Sequence, residues 1–321
     1  MSRDRSTAGS RRVPGFFLST WARRTTGAGA ASARQSDALR AVLLMCLGVS
    51  MFPFLNTCVK LLTAHYSLIE IVWARFAGHF LTMVAVFLPC RGWPIFLAHR
   101  PAIQITRSFL LLGSTALSVS GIGLVPLPTA SAIGFSSPII VTALSVPLLG
   151  ESVGPRRWSA VLVGFIGVLI AVRPGSGPLT TATLFLLGGA ACYALYQIAT
   201  RRSGTHDSAE TGIVYAALVG TIVTSLLLPF GFEWPHSLAD AALFAGLGVF
   251  GGVGHYFVIR AFRLGPAALI SPLGYFELVG STTLGYFVFA NFPDSWTWVG
   301  ASLIVASGIY IALRERRRRR D

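Results

Sequence analysis

The sequence predicts an all-α integral membrane protein with ten transmembrane helices in two inverted five-helix repeats. Three observations support this fold class. Of the 321 residues, 53% are hydrophobic and only 12% are charged, so a soluble globule would expose large apolar patches. Apolar runs long enough to cross about 30 Å of hydrocarbon follow one another over residues 38–314. Residues 124–158 also recur 140 positions later, at 264–298.

The recurrence covers two apolar runs and the loop between them, so shared hydrophobicity alone does not explain it. The matching residues include Leu124 and Leu264, Pro126 and Pro266, Ser131 and Ser271, Gly134 and Gly274, Thr142 and Thr282, and Trp158 and Trp298. A duplicated membrane unit is typical of secondary transporters, whose two halves move around a site between them.

Ten apolar runs predict the membrane spans, and prolines, glycines and arginines mark their ends. The predicted helices cover 41–63, 68–89, 103–124, 127–149, 157–173, 181–200, 210–229, 238–262, 266–289 and 296–313. Five of them lie on each side of the segment 176–178. An odd number of spans in each repeat forces the second copy to insert upside down, so we expect the repeats to be inverted.

This count divides the chain into four segments. They are a disordered basic cytoplasmic extension at 1–37, a first repeat at 38–175, a second repeat at 176–314 and a basic cytoplasmic tail at 315–321. The extension is rich in Arg, Ser, Thr, Ala and Gly and contains no apolar run long enough to span a membrane, which favours disorder.

The net charge of +14 indicates membrane topology rather than nucleic-acid binding. Nearly all basic residues are arginines, and they gather in the two tails and in the short loops on one side of the predicted bundle. The positive-inside rule therefore predicts that both termini are cytoplasmic. The four cysteines have neither Cys-x-x-Cys nor Cys/His spacing, so we expect no metal site and no disulfide framework.

Glu277 is the deepest carboxylate in the predicted bundle, about 18 Å from the outer end of its helix at 1.5 Å per residue. A charge at this depth costs about 2.5–3.5 kcal/mol on insertion scales. We therefore expect Glu277 to carry protons or to balance a cationic substrate, with permanent pairing to a neighbouring helix as the alternative. Pro272 and Gly274 predict a helix break just before it, and Gly134 marks the corresponding break in the first repeat.

Arg75 and His79 share one face of the second helix, and Glu70 and Trp73 share another. Arg75 lies too deep for easy solvation. It either binds an anionic group or pairs with Glu70 or Glu277, and the internal pair is slightly favoured.

Aromatic and polar side chains in other spans are candidate cavity residues. Tyr193 and Tyr196 share a helix face and can stack on a planar ligand. Asn56 offers a polar group in the first helix, and Tyr275 lies beside the predicted break. His255 is either a proton shuttle or a hydrogen-bonded core residue.

Leu149-Gly150-Glu151 closes the predicted fourth helix, and Arg156-Arg157-Trp158 opens the fifth. Together with the five-plus-five duplication, these motifs resemble the EamA-type drug/metabolite transporter superfamily over residues 38–314. The segments 271–279 and Phe292-Pro293-Asp294 are similar to the branch that includes S-adenosylmethionine and riboflavin importers. Asn291 departs from the pattern because the family often has an acid there, which leaves Glu151 without an acidic counterpart.

The resemblance implies a bacterial inner-membrane carrier with a central cavity lined mainly by helices one, three, four, six, eight and nine. On this sequence those helices contribute Asn56, Ser136, Ser137, Tyr193, Tyr196, His255, Tyr275 and Glu277. With Trp73 and Arg75 from the second helix, these residues form the predicted substrate-binding set.

We therefore expect a secondary active transporter that moves an amino-acid-like, S-adenosylmethionine-like or vitamin-like metabolite across the inner membrane by alternating access. The sequence has no ATP-binding motif, so uphill transport needs either protons, with Glu277 as the coupling residue, or exchange for a second metabolite. An intramembrane enzyme and a channel are the alternatives, but catalytic motifs and rings of like charge are absent from the sequence. We expect the protein to be surrounded by lipid and to bind no cofactor and no nucleic acid. Whether it forms a homodimer is left open.

Overall fold

The computed structural model describes residues 18–150, 154–172, 179–203, 207–230, 232–264 and 271–318. Within these ranges the chain is helical and contains no strand, so the predicted all-α class is confirmed. The α-helices are α1 (Leu18–Leu62), α2 (Leu68–Arg91), α3 (Pro101–Leu124), α4 (Leu127–Gly134), α5 (Ser137–Leu149), α6 (Pro155–Val172), α7 (Leu179–Ser203), α8 (Ala209–Leu227), α9 (Leu238–Leu264), α10 (Phe276–Phe289) and α11 (Ser295–Arg318). Short 3-10 helices occupy Trp93–Phe96, Leu228–Phe230 and Ser271–Tyr275.

Several of these helices are long and apolar enough to cross a membrane. In the described residues they are Leu39–Leu62, Leu68–Arg91, Pro101–Leu124, Leu127–Leu148, Thr181–Thr200, Glu210–Leu227 and Leu238–Ala261. The shorter apolar stretch Trp158–Ile170 corresponds to the predicted fifth span. The last two predicted spans correspond to α10 with its preceding 3-10 helix and to α11, and the total of ten spans stays a prediction.

The first helix begins at Leu18, well before its membrane-spanning part starts at Leu39. Composition predicts disorder up to residue 37, whereas residues 18–37 continue α1 as helix. Alanine and arginine favour helix, and a helix that is already nucleated extends at little cost. Residues 1–17, 319–321 and 176–178 lie outside the described residues, as does Glu151.

Helix packing follows the duplication of the sequence. Counterparts in the two repeats are α1 and α7, α2 and α8, α3 and α9, α4–α5 and α10, and α6 and α11. Helix α1 contacts α9, and helix α7 contacts α3. These two contacts are equivalent, because α7 is the counterpart of α1 and α3 is the counterpart of α9. The interface between α6 and α11 maps onto itself: Gly164 contacts Ser307 and Gly167 contacts Ile304. These pairs exchange under the 140-residue shift, so this interface lies on a pseudo-twofold axis.

The loops show that the two repeats run in opposite senses. Asp207, between α7 and α8, accepts a hydrogen bond of 2.7 Å from the backbone nitrogen of His99, between α2 and α3. Glu70, at the start of α2, accepts a hydrogen bond of 2.6 Å from the backbone nitrogen of Glu233, between α8 and α9. The α1–α2 loop and its counterpart, the α7–α8 loop, therefore lie at opposite ends of the bundle, which is the arrangement of inverted repeats.

A substitution at Gly78 tests the close packing of α2 against α9. A Cβ added to Gly78 would lie 2.6 Å from the Cα of Gly248, so the two backbones touch. Small residues permit such approach between membrane helices. We expect Gly78→Val to separate the helices and to cost about 1–3 kcal/mol, seen as a lower apparent melting temperature in detergent. Gly154→Ala is the control because a Cβ there meets no atom within 4 Å. An unchanged melting temperature of Gly78→Val would contradict the contact.

Asp207 is a carboxylate outside the membrane spans. Its side chain is only 2% exposed. Burial opposes ionisation, but hydrogen bonds from the Gln104 amide and from His99 outweigh it and lower the pKa of Asp207. A carboxyl group whose pKa is lowered by folding stabilises the fold above its unfolded pKa of about 3.9, and this contribution is lost as the pH falls through the folded pKa.

We therefore expect Asp207→Asn to lower the apparent melting temperature at pH 7. The difference from the parent protein should narrow as the pH falls below about 4. Asp37→Asn is the matched control because the Asp37 side chain is 48% exposed. A difference that stays constant between pH 7 and pH 3 would show that the charge of Asp207 does not stabilise the fold.

Candidate functional site

A cavity of about 480 Å³ lies between the two repeats. Its size is in the range of small-molecule sites, which span about 300–1,000 Å³. Among the described residues, the polar part of its lining consists of Asn56, Arg75, Ser114, Thr115, Ser118, Ser131, Ser137, Tyr193, Gln197, His255, Tyr275 and Glu277. Apolar side chains such as Phe52, Leu111 and Phe135 complete the wall, so the cavity combines a hydrophobic surface with a few polar groups.

An interrupted helix and a 3-10 helix meet beside this cavity. Helix α4 ends at Gly134 and α5 begins at Ser137, while the 3-10 helix Ser271–Tyr275 leads into α10. Regular α-helix is therefore absent at both of the predicted break positions, between Gly134 and Ser137 and over Ser271–Tyr275. Phe135 and Tyr275, which are 140 positions apart, meet edge to face with ring centroids 5.2 Å apart. The pseudo-twofold axis consequently passes between the two breaks.

Glu277 lies in the first turn of α10 and faces the cavity. Its Oε1 accepts a hydrogen bond of 3.1 Å from Nδ2 of Asn56 on α1. This partner is a neutral amide, which orients the carboxylate without cancelling its charge. The carboxylate can therefore attract a cation or a proton that enters the cavity.

Arg75 of α2 lines the same cavity, and its alternative pairing with Glu70 is wrong. Glu70 instead caps α2, since its carboxylate accepts a 3.1 Å hydrogen bond from the backbone nitrogen of Ser67 and another from that of Glu233. Arg75 lies within electrostatic range of Glu277 but forms no ion pair with any carboxylate in the described ranges. The cavity thus holds one acidic and one basic group that do not neutralise each other directly.

The two membrane histidines contact each other at the cavity wall. The rings of His79 and His255 have centroids 5.3 Å apart. Nδ1 of His255 lies 2.9 Å from the carbonyl oxygen of Gly251, and this ring lines the cavity. His79 is buried behind it, and its Nε2 has no hydrogen-bond partner among the described residues. His255 is therefore both hydrogen-bonded and accessible from the cavity.

Tyr193 and Tyr196 stack as expected, with ring centroids 5.7 Å apart and an interplanar angle of 23°. Only Tyr193 reaches the cavity. The Tyr196 hydroxyl instead accepts a hydrogen bond of 3.0 Å from Nη2 of Arg107. Sequence reasoning missed Arg107, although an arginine inside the predicted third span is a signal that could have identified it.

Two other predicted residues also lie off the cavity. Ser136 is buried at the break between α4 and α5, and its Oγ has no hydrogen-bond partner within the described part of the chain. Nε1 of Trp73 donates a 2.9 Å hydrogen bond to Ser225, and its ring packs against Phe232. The predicted residues that do line the cavity are Asn56, Arg75, Ser137, Tyr193, His255, Tyr275 and Glu277. Their contact with substrate stays a prediction.

The polar face of α3 was not predicted from the sequence. Ser114, Thr115 and Ser118 line the cavity. Ser118 follows Ser114 by four residues and Thr115 by three, which is the spacing of one side of a helix and is the signal that could have found them. Gln197 of α7 adds an amide that donates a 3.4 Å hydrogen bond to Ser137.

A duplicated helical membrane protein with a central cavity between inverted halves has the architecture of many membrane transporters. The model of the EamA-like transporter family matches this chain twice, over residues 39–173 and 180–313. The chain therefore belongs to the EamA-like transporter family, and it is a membrane transporter rather than an enzyme.

Several curated relatives cover most of the chain. An S-adenosylmethionine uptake transporter of Rickettsia felis is 31% identical over 68% of this chain and 74% of its own length. A riboflavin transporter of Rhizobium johnstonii is 29% identical over 89% and 95%. A pseudopaline exporter of Pseudomonas aeruginosa is 27% identical over 84% and 95%. These relatives include both uptake and export proteins.

One solved crystal structure shares the fold. It aligns with a TM-score of 0.62 over 88% of this chain and 98% of that chain. Since the sequences are only 17% identical, this likeness supports the architecture alone.

Proposed function

We propose that this transporter moves a zwitterionic metabolite with a planar ring through the central cavity by alternating access. The observation that carries the proposal is that Glu277, Arg75 and the Tyr193 ring line one cavity. A carboxylate can bind a cationic group, a guanidinium can bind a carboxylate, and a tyrosine ring can stack on a planar group. Few metabolites present all three features at once.

S-adenosylmethionine is the first substrate to test. It carries a sulfonium cation, an amino-acid zwitterion and an adenine ring, and therefore has a group for each of the three cavity side chains. Riboflavin has a planar ring but lacks the amino-acid charges, so it is the second probe. The relatives from Rickettsia felis and Rhizobium johnstonii, which carry these two substrate names, agree with this choice.

We also propose that Glu277 couples transport to protons. Its hydrogen bond with Asn56 leaves the carboxylate without a fixed countercharge, so a proton and a cationic substrate can compete for it. Exchange for a second metabolite is the alternative mode of coupling. Inverted repeats are compatible with both proton coupling and metabolite exchange. When the two halves exchange conformations, the cavity opens to the other side of the membrane.

Substitution of Glu277 by glutamine tests the coupling. Glutamine keeps an oxygen for Asn56 but removes the charge, so uptake of labelled S-adenosylmethionine into proteoliposomes should fall about tenfold, the effect of losing about 1.4 kcal/mol. The residual uptake should no longer respond to a pH gradient. Glu233→Gln is the matched control because that side chain is 61% exposed in a loop.

Each outcome of this experiment has a distinct meaning. Parent-like uptake and pH response by Glu277→Gln would contradict the coupling role. Failure of the folded parent protein to transport S-adenosylmethionine would contradict the proposed substrate class, and so would transport of riboflavin alone, because riboflavin lacks the amino-acid charges. Uptake that never saturates with substrate concentration would favour a channel over a carrier.

We further propose that both termini are cytoplasmic in a bacterial inner membrane. The arginine-rich loops support this orientation, which makes the end with His99 and Asp207 cytoplasmic and the end with Glu70 and Glu233 external.

Thiol labelling tests the orientation in cells. In a background without the four native cysteines, Ser176→Cys should react with an impermeant maleimide in intact cells. Trp93→Cys, at a side chain that is 74% exposed in the opposite loop, should react only after permeabilisation. The reverse pattern would overturn the orientation.

A further inference from the structure

Arg107 is buried on the face of α3 that meets α7 and α8. The residue is only 5% exposed. Its Nη1 donates a 2.8 Å hydrogen bond to Oε1 of Gln104, and its Nη2 donates to the Tyr196 hydroxyl. The guanidinium carbon also lies 5.0 Å from the centroid of the Tyr196 ring, within the range of cation–π interactions. Arg107 thus holds Tyr196 by its hydroxyl and by its ring.

This buried charge has no direct acidic partner in the described part of the chain. Nε of Arg107 has no hydrogen-bond partner there either. The carboxylate of Asp207 reaches Arg107 only through Gln104, whose Nε2 donates a 2.8 Å hydrogen bond to Oδ2. An unpaired buried guanidinium is costly, whereas an apolar side chain would pack at this depth without that cost. A role in packing alone therefore does not account for Arg107.

The neighbouring helix is shaped around the guanidinium. A Cβ added to Gly212 on α8 would meet Nη1 of Arg107 and would lie 3.2 Å from its guanidinium carbon. The absence of a side chain at Gly212 therefore leaves the space that the guanidinium fills. A side chain added at Gly212 would therefore displace the guanidinium of Arg107 without removing its charge.

The constraint on Tyr196 extends to the cavity through its neighbour. Tyr193 stacks on Tyr196 and lines the cavity, whereas neither Tyr196 nor Arg107 does. Fixing Tyr196 by two contacts therefore also fixes one face of the Tyr193 ring. A ring that is already held in place stacks on a ligand with less loss of conformational entropy.

We propose that Arg107 is a positioning residue for substrate specificity, acting through Tyr196 to hold the Tyr193 ring against the planar group of the substrate. This inference rests on the proposed function, since it concerns the same cavity and substrate class. It predicts that Arg107 affects the recognition of the ring and leaves the recognition of the charged groups to Glu277 and Arg75.

Transport kinetics in proteoliposomes test the proposal. We expect Arg107→Met to raise the KM for S-adenosylmethionine about tenfold, the order expected for losing one aromatic stacking contact. The maximum rate should stay within about twofold of the parent value because the charged residues of the cavity are unchanged. Inhibition by S-methylmethionine, which has the sulfonium and the zwitterion but no ring, should be unaffected.

Two further variants keep the test valid if Arg107→Met folds poorly. Gly212→Ala retains the charge but displaces the guanidinium, and should raise the KM in the same direction. Arg107→Lys should give an intermediate value because one ammonium group cannot reproduce the planar fork that contacts Gln104 and Tyr196. Arg91→Met is the matched control, since Arg91 also reaches α8, through Glu210, but is 60% exposed.

A double-mutant cycle with Tyr193→Ala tests whether Arg107 acts through Tyr193. If Arg107 acts through Tyr193, adding Arg107→Met to Tyr193→Ala should raise the KM no further. The inference would be overturned if the two substitutions raised the KM by factors that multiply in the double variant. It would also be overturned if Arg107→Met weakened inhibition by S-methylmethionine as much as it raised the KM for S-adenosylmethionine, since either result would indicate a structural role for Arg107. If the parent protein does not transport S-adenosylmethionine, the proposed substrate class fails and the inference falls with it. A parent protein that transports while all variants keep its KM would overturn the inference alone.

Discussion

The contact between the two helix breaks is the constraint on which the rest of the site depends. A helix that crosses lipid must satisfy its backbone hydrogen bonds internally, so an interrupted helix is tolerated only where protein or a water-filled cavity covers it. The pseudo-twofold axis passes between the breaks, where Phe135 and Tyr275 contact each other across the repeat boundary. Gly134 and Gly274 both line the cavity between the repeats, so the backbone of each break is exposed to that space.

The site within this symmetric scaffold is asymmetric. Glu277 occupies the position 140 residues after Ser137, and both side chains line the cavity. The position 140 residues after Arg107 is Leu247, a fully buried apolar residue. Duplication therefore supplied the helix framework, while the charged and hydrogen-bonding groups differ between the halves. This difference agrees with a substrate whose two ends have different chemistry.

Polar groups within the bundle fall into two sets with different physical roles. Near the ends, Glu70 and Asp207 hold together loops from opposite repeats through backbone hydrogen bonds. In the middle, Arg75 and Glu277 face the cavity without a direct ion pair between them. Groups of the first set are satisfied by the protein, whereas those of the second set keep capacity for a ligand.

The sequence by itself determined the membrane class, the duplication and the breaks at Gly134 and Gly274, because composition and local backbone chemistry carry that information. It also identified Glu277 as a cavity residue, since a carboxylate in an apolar run is conspicuous. Only the tertiary structure decided that Glu70 caps its own helix instead of binding Arg75, and that Arg107 holds Tyr196. Helices in lipid are apolar on most faces, so their periodicity does not specify which faces meet, and partners far apart in sequence depend on that packing.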